Sequence, residues 1–439
     1  MIEIYDDWRK AQSTVLRRRD GADLDQVPDA IRVGIGRVFG EDLTPEDAVA
    51  RIIASVRQGG DGALREWTQR IDGVMLDDLE VPRDAWGAAH AALTTDLAEA
   101  LAMASERIRA FHALQPLASW ATEKLGGRLG QRMTPLASAG VYVPGGTAPL
   151  PSSLLMTAIP AQVAGVGEVV VCTPPGRDGQ VPDVILAAAH VAGVDRLYRL
   201  GGAQAIAAMA YGTDSVSRVD KILGAGGLFT TVAKRLVYGQ VGIDGLYGPT
   251  ETLIIADDSA DPAWVASDLL AQAEHDLLAT AILLTPSRRL AEDVQAEVAR
   301  QAAELSRADT ISASLAGQGG IIVTPDLETA ARRADEFAPE HLCLSLRDPE
   351  EWAGRIHNAG GLFLGEHSFE VLGDYVAGPS HVMPTGGTAR FSSPVNVLDF
   401  VKITSIIALD AGAAARLGPT ASRLARAEGL TAHAAAAEN

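Results

Sequence analysis

The amino-acid sequence predicts an α/β fold of two mostly parallel sheets, one inserted in the other, with small helical extensions at the N and C termini. Three observations carry this. From residue 140 onward, short apolar runs alternate with alanine-rich stretches of helical length. The apolar runs are continuous, as strands covered on both faces by helices require. The alternation pauses near residues 242–248 and then resumes, which divides it into two sets. Each set reads as a Rossmann-like domain.

In chain order, the first 24 residues read as a polar arm carrying Arg17-Arg18-Arg19. Residues 25–141 and 251–394 are assigned to a first Rossmann-like domain, and residues 142–250 to a second inserted within it. Residues 44–70 place Ala48, Ile52, Ile53 and Val56 at helical spacing, and Pro45 follows Thr44 as at a capped helix start. A further helical stretch covers residues 84–114. In the inserted domain, Val169-Val170-Val171 and Leu197-Tyr198-Arg199-Leu200 read as strands, with helices over residues 184–191 and 203–211. After the pause, strands are expected at Leu253-Ile254-Ile255, Ala281-Ile282-Leu283-Leu284, Ile321-Ile322-Val323, Leu342-Cys343-Leu344-Ser345-Leu346 and Leu362-Phe363-Leu364. Residues 395–439 read as a small helical tail.

Composition bounds the function. With 439 residues, 47% hydrophobic and 21% charged, the chain can bury a large core. No apolar run reaches the roughly 18 residues that a membrane span needs. The start, Met1-Ile2-Glu3-Ile4-Tyr5-Asp6-Asp7, lacks the basic-then-apolar order of a signal peptide. A net charge of −19 argues against nucleic acid or an anionic membrane as partner, because phosphate binding needs clustered Lys and Arg. The two cysteines, Cys172 and Cys343, both lie in apolar runs and read as buried thiols of a reducing cytoplasm.

Four segments carry candidate chemistry. Phe337-Ala338-Pro339-Glu340-His341-Leu342 puts a carboxylate beside an imidazole where a loop enters a strand. Neighbours at the mouth of a strand point to different sides, so a substrate between them would meet two proton-transfer groups. In Ala271-Gln272-Ala273-Glu274-His275, Gln272 and His275 lie three apart on a helix and share a face. Residues 373–381 form a glycine- and proline-shaped loop presenting Asp374 and His381. The fourth segment, Glu428-Gly429-Leu430-Thr431-Ala432-His433, lies near the end of the chain. Two imidazoles, one carboxylate and one amide oxygen suit a borderline ion such as Zn²⁺. His90, His112 and His190 lie in helical runs and read as structural.

The dinucleotide fingerprint Gly-x-Gly-x-x-Gly is absent, and Gly34-Ile35-Gly36 falls in a helical stretch. Gly201-Gly202-Ala203-Gln204 follows a strand and opens a helix, where free N–H groups can hold an anion. A tight strand-to-helix turn explains it equally well. Gly145-Gly146 makes a second glycine turn after Val141-Tyr142-Val143-Pro144, where Tyr142 either stacks on a nucleotide ring or packs in the core.

Together these residues resemble the histidinol dehydrogenase family, most densely in Gly-Asp-Tyr-Val-Ala-Gly-Pro-Ser-His-Val-Met-Pro-Thr-Gly-Gly-Thr-Ala-Arg, residues 373–390. The resemblance implies a Zn²⁺- and NAD-dependent oxidation of L-histidinol to L-histidine through the aldehyde, the last step of histidine biosynthesis. It implies zinc ligands at Gln272, His275, Asp374 and His433, and a proton-transfer pair at Glu340 and His341. It implies substrate contacts at Ser152, Thr250, His381 and Glu428, with His341 and the zinc ligands also facing substrate. Nucleotide contacts are implied at Tyr142, Gln204 and position 227. It also implies a homodimer in which the tail of one subunit completes the site of the other.

The sequence departs from the family pattern in three places. Gly224-Ala225-Gly226-Gly227 replaces Gly-Pro-Gly-Asn, so the nucleotide-binding Asn amide is missing at Gly227. Thr250 replaces Ser. Asp244-Gly245-Leu246-Tyr247 loses a side chain at Gly245 and adds a ring at Tyr247. These departures leave a second reading open: a zinc- and NAD-dependent paralogue that oxidises another small polar alcohol, such as a sulfonated diol.

Overall fold

The computed structural model describes residues 2–18, 29–145 and 149–438. Arg19 of the basic cluster and Gly146 of the second glycine turn lie outside them. The strands, in chain order, are β1 (Glu3–Tyr5), β2 (Trp120–Thr122), β3 (Arg128–Pro135), β4 (Ser138–Tyr142), β5 (Glu168–Thr173), β6 (Arg196–Arg199) and β7 (Lys221–Leu223). There follow β8 (Gly242–Ile243), β9 (Glu251–Ala256), β10 (Thr280–Thr285), β11 (Gly319–Val323), β12 (His341–Ser345), β13 (Gly361–Leu364) and β14 (Val401–Ala408).

Two of the sheets are wholly parallel. One has six strands in the order β1-β11-β10-β9-β12-β13, the other five in the order β6-β5-β4-β7-β8. The chain of the five-stranded sheet is inserted between β1 and β9 of the six-stranded one. The strands are apolar throughout because each face meets helices: Val169 and Val171 belong to one core, Val170 and Cys172 to another. Burying each Val side chain contributes about 1.5–3 kcal/mol. Both cysteines are free and buried.

The structure redraws the sequence boundaries. Residue 142 ends β4, so the expected break at 141/142 falls inside a strand of the five-stranded sheet. The helix Pro45–Asp72, started by the Thr44 hydroxyl accepting from the Asp47 N–H at 3.1 Å, packs on Gly202–Tyr211 and Leu228–Val237. Helices Arg83–Ala91 and Thr95–Ala113 pack on the opposite face with Pro151–Ala164 and Asp183–Ala192. All three therefore cover the five-stranded sheet, not the six-stranded one to which the sequence reading assigned them. An amphipathic stripe says which residues are buried but not against which sheet.

The terminal segments also differ from simple helical extensions. The N-terminal arm contributes β1, an edge strand in register with β11. The C-terminal tail contains the eight-residue β14, which follows a short 3-10 turn over Val397–Phe400, pairs antiparallel with β3 and with it forms a third sheet, β14-β3-β2. Only then do the helices Ala411–Ala427 and Thr431–Glu438 follow, packed on each other. No helix among the described residues is long and apolar enough to cross a membrane.

Candidate active site

Strands β9 and β12 are neighbours, with His341 opposite Thr252. That register brings Thr250 and Glu251 alongside Glu340. The Thr250 hydroxyl donates to Glu340 Oε2 at 2.6 Å, and the Glu251 N–H donates to the same oxygen at 3.0 Å. Burial pushes the Glu340 carboxyl up to about 7, against the downward pull of His341 and of these two hydrogen bonds. The sequence placed Glu340 and His341 on different sides of a strand. In the structure both line one cavity, because Glu340 precedes the first paired residue. Ala338, with φ 52°, turns the chain just before it.

His341 Nδ1 donates to the Glu251 carbonyl at 3.3 Å. Two carboxylates flank the same nitrogen, Glu370 Oε1 at 3.6 Å and Glu340 Oε2 at 3.9 Å. With the proton on Nδ1, Nε2 keeps its lone pair. That atom is buried and has no hydrogen-bond partner, with Asp374 Oδ1 at 4.0 Å. A donor placed in the cavity could share its proton with that lone pair.

Two of the candidate metal ligands, His275 and Asp374, line the same cavity, which measures about 170 Å³, and Gln272 joins it through Thr250. The Gln272 amide nitrogen donates to the Thr250 hydroxyl at 2.9 Å, and its carbonyl oxygen is buried without a partner. An orphaned buried acceptor costs about 1–3 kcal/mol, so an unpaired Gln272 Oε1 points to a missing electropositive partner. The helix carrying Gln272 ends at Ala273, so His275 lies in the following turn, its N–H donating to the main-chain carbonyl of Gln272 at 3.2 Å. It still lines the cavity, as does Asp374, which sits in the helix Glu370–Tyr375 and not in a loop. The oxygen and nitrogen donors fit a borderline divalent ion. Among the described residues, no three His, Cys, Asp or Glu side chains form a metal cluster by themselves.

His381 lines the cavity and donates from Nδ1 to the Asp374 carbonyl at 2.7 Å, while Ser153 Oγ approaches its Nε2 at 3.4 Å. Burial lowers its pKa, against the upward pull of Asp374, and so favours the neutral imidazole. Ser152 and Tyr247 complete this wall. Glu428 and His433 are not there. Both are exposed on the C-terminal tail of this subunit.

Ala225, just past the carboxyl end of β7, also lines the cavity, and β7 adjoins β4 at the point where the strand order of the five-stranded sheet reverses. Such a crevice is where open parallel sheets bind ligands. Its floor is tightly built. A Cβ on Gly224 would fall 2.2 Å from the Tyr142 carbonyl oxygen, and one on Gly201 would fall 2.5 Å from Pro174. Gln204 is fully buried with neither amide atom partnered. Tyr142 takes the core alternative: its ring is buried and its hydroxyl accepts from the Gly202 N–H at 3.0 Å. A Cβ at Gly227, the N-cap of helix Leu228–Val237, would meet nothing within 4 Å.

Sequence reasoning missed several groups. Glu370 is fully buried and takes a hydrogen bond from the Thr252 hydroxyl, and burial pushes its pKa well up, with Asp374 and Asp268 adding to the rise. Nothing local in the sequence marks that residue. Glu251 could have been found, since it completes Gly248-Pro249-Thr250-Glu251. The departures at residues 245 and 247 prove to be one change. A Cβ at Gly245 would stand 3.2 Å from the Tyr247 ring, which is buried under Lys234 Nζ at 4.8 Å. The lost side chain makes room for the added ring.

The family model described as Histidinol dehydrogenase matches residues 40–439. The chain is 54% identical over 415 residues to the histidinol dehydrogenase of Deinococcus radiodurans, covering 94% of each chain. It is 52% identical over 393 residues to that of Thermus thermophilus, covering 90% of this chain and 94% of the other. The crystal structure of histidinol dehydrogenase from Elizabethkingia anophelis superimposes with a TM-score of 0.91 at 33% identity, over 100% of this chain and 97% of that one.

Proposed function

Because this chain belongs to the histidinol dehydrogenase family, we propose that it carries out both oxidations of L-histidinol to L-histidine as a cytoplasmic enzyme of histidine biosynthesis. The observation that carries the reading is the unpartnered His341 Nε2 in one cavity with the hydrogen-bonded Glu340 carboxylate. The two half-reactions move different protons and need two different bases. His341 Nε2 takes the hydroxyl proton in the alcohol step, with Nδ1 held by the Glu251 carbonyl to fix the tautomer. Glu340 takes a proton from the water that adds to the aldehyde. Its pKa near 7 makes it a base at neutral pH without making it too weak to return the proton.

Gln272, His275, Asp374 and a tail His433 would hold Zn²⁺, and Ser152, Thr250, His381 and Glu428 would contact substrate. When bound, zinc supplies an electrostatic anchor for the substrate's imidazole and amine, and NAD supplies the hydride acceptor. Thr250 links the two ends of the site, accepting from Gln272 and donating to Glu340. Its extra methyl leaves this relay intact. Gln204 would lie under the nucleotide, with Tyr142 behind it bracing the Gly202 turn.

The tail supports a homodimer with shared sites. Ile403, Ile407, Leu417 and Leu424 are large, apolar and exposed on β14 and the helix Ala411–Ala427, an uncovered surface of the kind that marks an interface. A second copy covering it would bring Glu428 and His433 to the cavity.

The defining test is the yield of NADH per L-histidinol. Two NADH per substrate, abolished by a chelator and restored by Zn²⁺, is the expected result. A zinc-loaded, folded protein that makes no NADH from histidinol, but makes it from another small alcohol, would replace this reading with the paralogue. Restoring the missing amide gives a second test. Gly227 has φ −68°, open to any residue, at an N-cap where Asn is favoured. One regained hydrogen bond of about 0.5–1.5 kcal/mol should lower KM for NAD by about two- to tenfold in Gly227→Asn. An unchanged KM would mean the nucleotide makes up the contact elsewhere.

A further inference from the structure

We propose that Arg18, on the N-terminal arm, is a positioning residue that keeps Glu340 and His341 in register through Glu251, an inference that rests on the dehydrogenase reading above. The main chain of Glu251 touches both groups: its N–H donates to Glu340 Oε2 at 3.0 Å, and its carbonyl accepts from His341 Nδ1 at 3.3 Å. Its side chain is buried, and its carboxylate meets Arg18 Nη2 at 3.0 Å. The same nitrogen donates to the Ala338 carbonyl, also at 3.0 Å. One guanidinium nitrogen, with two protons, thus ties the first residue of β9 to the turn that delivers Glu340.

That turn needs holding. Ala338 is the one non-glycine residue with positive φ among the described residues, at 52°. The left-handed conformation costs an alanine roughly 1–2 kcal/mol and persists only where its surroundings impose it. Arg18 is itself well seated. It stacks 4.1 Å over the Phe337 ring and lies so close to Gly387 that a Cβ there would fall 1.8 Å from Nη1. Behind it, Ala11 and Val15 are buried in the core under the six-stranded sheet, and β1 is paired with β11. The arm therefore transmits the rigidity of that sheet to the catalytic turn. Lys keeps the charge but loses the planar guanidinium that stacks on Phe337, whereas Met keeps only the stem.

The test uses the full-length, zinc-loaded enzyme and follows NADH formation and thermal melting. Arg18→Met should lower kcat by about tenfold or more while KM for histidinol and NAD stays within about threefold, because displaced catalytic groups cost turnover and not uniform binding. Arg18→Lys, which keeps the charge on Glu251 without the stacked fork, should restore part of the rate. A purely structural role is separated by the double variant Arg18→Met/Glu251→Gln, which leaves no buried carboxylate unpaired. Its melting temperature should recover while kcat stays low. Parental kcat in Arg18→Met, or in the double variant, overturns the proposal. Should Arg18→Met not fold, the double variant carries the comparison alone. Failure of the unsubstituted enzyme to oxidise histidinol would instead remove the dehydrogenase reading.

Discussion

Glu340→Gln should leave an enzyme that oxidises the alcohol but stalls at the aldehyde, yielding close to one NADH per histidinol. Gln keeps the size of Glu, and its carbonyl oxygen can still accept from the Thr250 hydroxyl and the Glu251 N–H. What it loses is the ability to take a proton from water. General-base catalysis contributes on the order of 10²–10⁴-fold, and the aldehyde step should slow by that factor while the alcohol step slows far less. Presenting the aldehyde directly and following NADH in a single turnover separates the two steps. Equal loss in both would remove the water-activating role from Glu340.

The pH profile gives an independent check. Burial raises the Glu340 carboxyl to about 7, so the base form is lost as pH falls through that value. The aldehyde step of the parent should decline below about pH 7, and the residual rate of Glu340→Gln should not follow that profile. Stability moves the other way. A carboxyl whose folded pKa is raised favours the fold while protonated, and that contribution fades as pH rises from its free value of 4.5 through about 7. In the metal-free protein at pH 8, Glu340→Gln should therefore melt higher than the parent.

His433→Ala and His341→Asn subunits, each nearly inactive alone, should regain activity when mixed and allowed to exchange. His433 is exposed on its own subunit and does not line the cavity there, whereas His341 is buried in it. In a mixed dimer, one site combines an intact His341 with an intact tail from its partner, and the other has neither. Random exchange at equal concentrations gives about one intact site in four, and so about a quarter of parental activity. His433→Ala alone should also bind less zinc. No recovery on mixing, with subunit exchange confirmed, would mean that the tail serves its own subunit.

How much of this was legible from sequence can be judged residue by residue. The parallel sheets were legible because runs such as Val169-Val170-Val171 and Ala281-Ile282-Leu283-Leu284 are apolar on both faces, a property each strand carries by itself. The same holds for the Thr44 cap and for the buried Cys172 and Cys343. Gln272, His275, Glu340, His341, Asp374 and His381 could be chosen because their types and local spacing announce chemistry, and five of the six line one cavity with Gln272 joined to it through Thr250. The third sheet was not legible. Its strands, with residues such as Arg128, Gln131 and Arg132 in β3, are not continuously apolar.

The sequence by itself determined the long helices and the continuously apolar strands of the two parallel sheets, and which side chains are capable of acid–base and ligand chemistry, because period and residue type are local properties. Only the tertiary structure decided that helices Pro45–Asp72 through Thr95–Ala113 cover the five-stranded sheet, that Glu340 and His341 face the same cavity, and that Arg18 reaches Glu251 across 233 positions. Those outcomes depend on which apolar faces fit together and on where buried polar groups find partners. Both are settled by shape and desolvation among residues distant in sequence, where no local pattern is written.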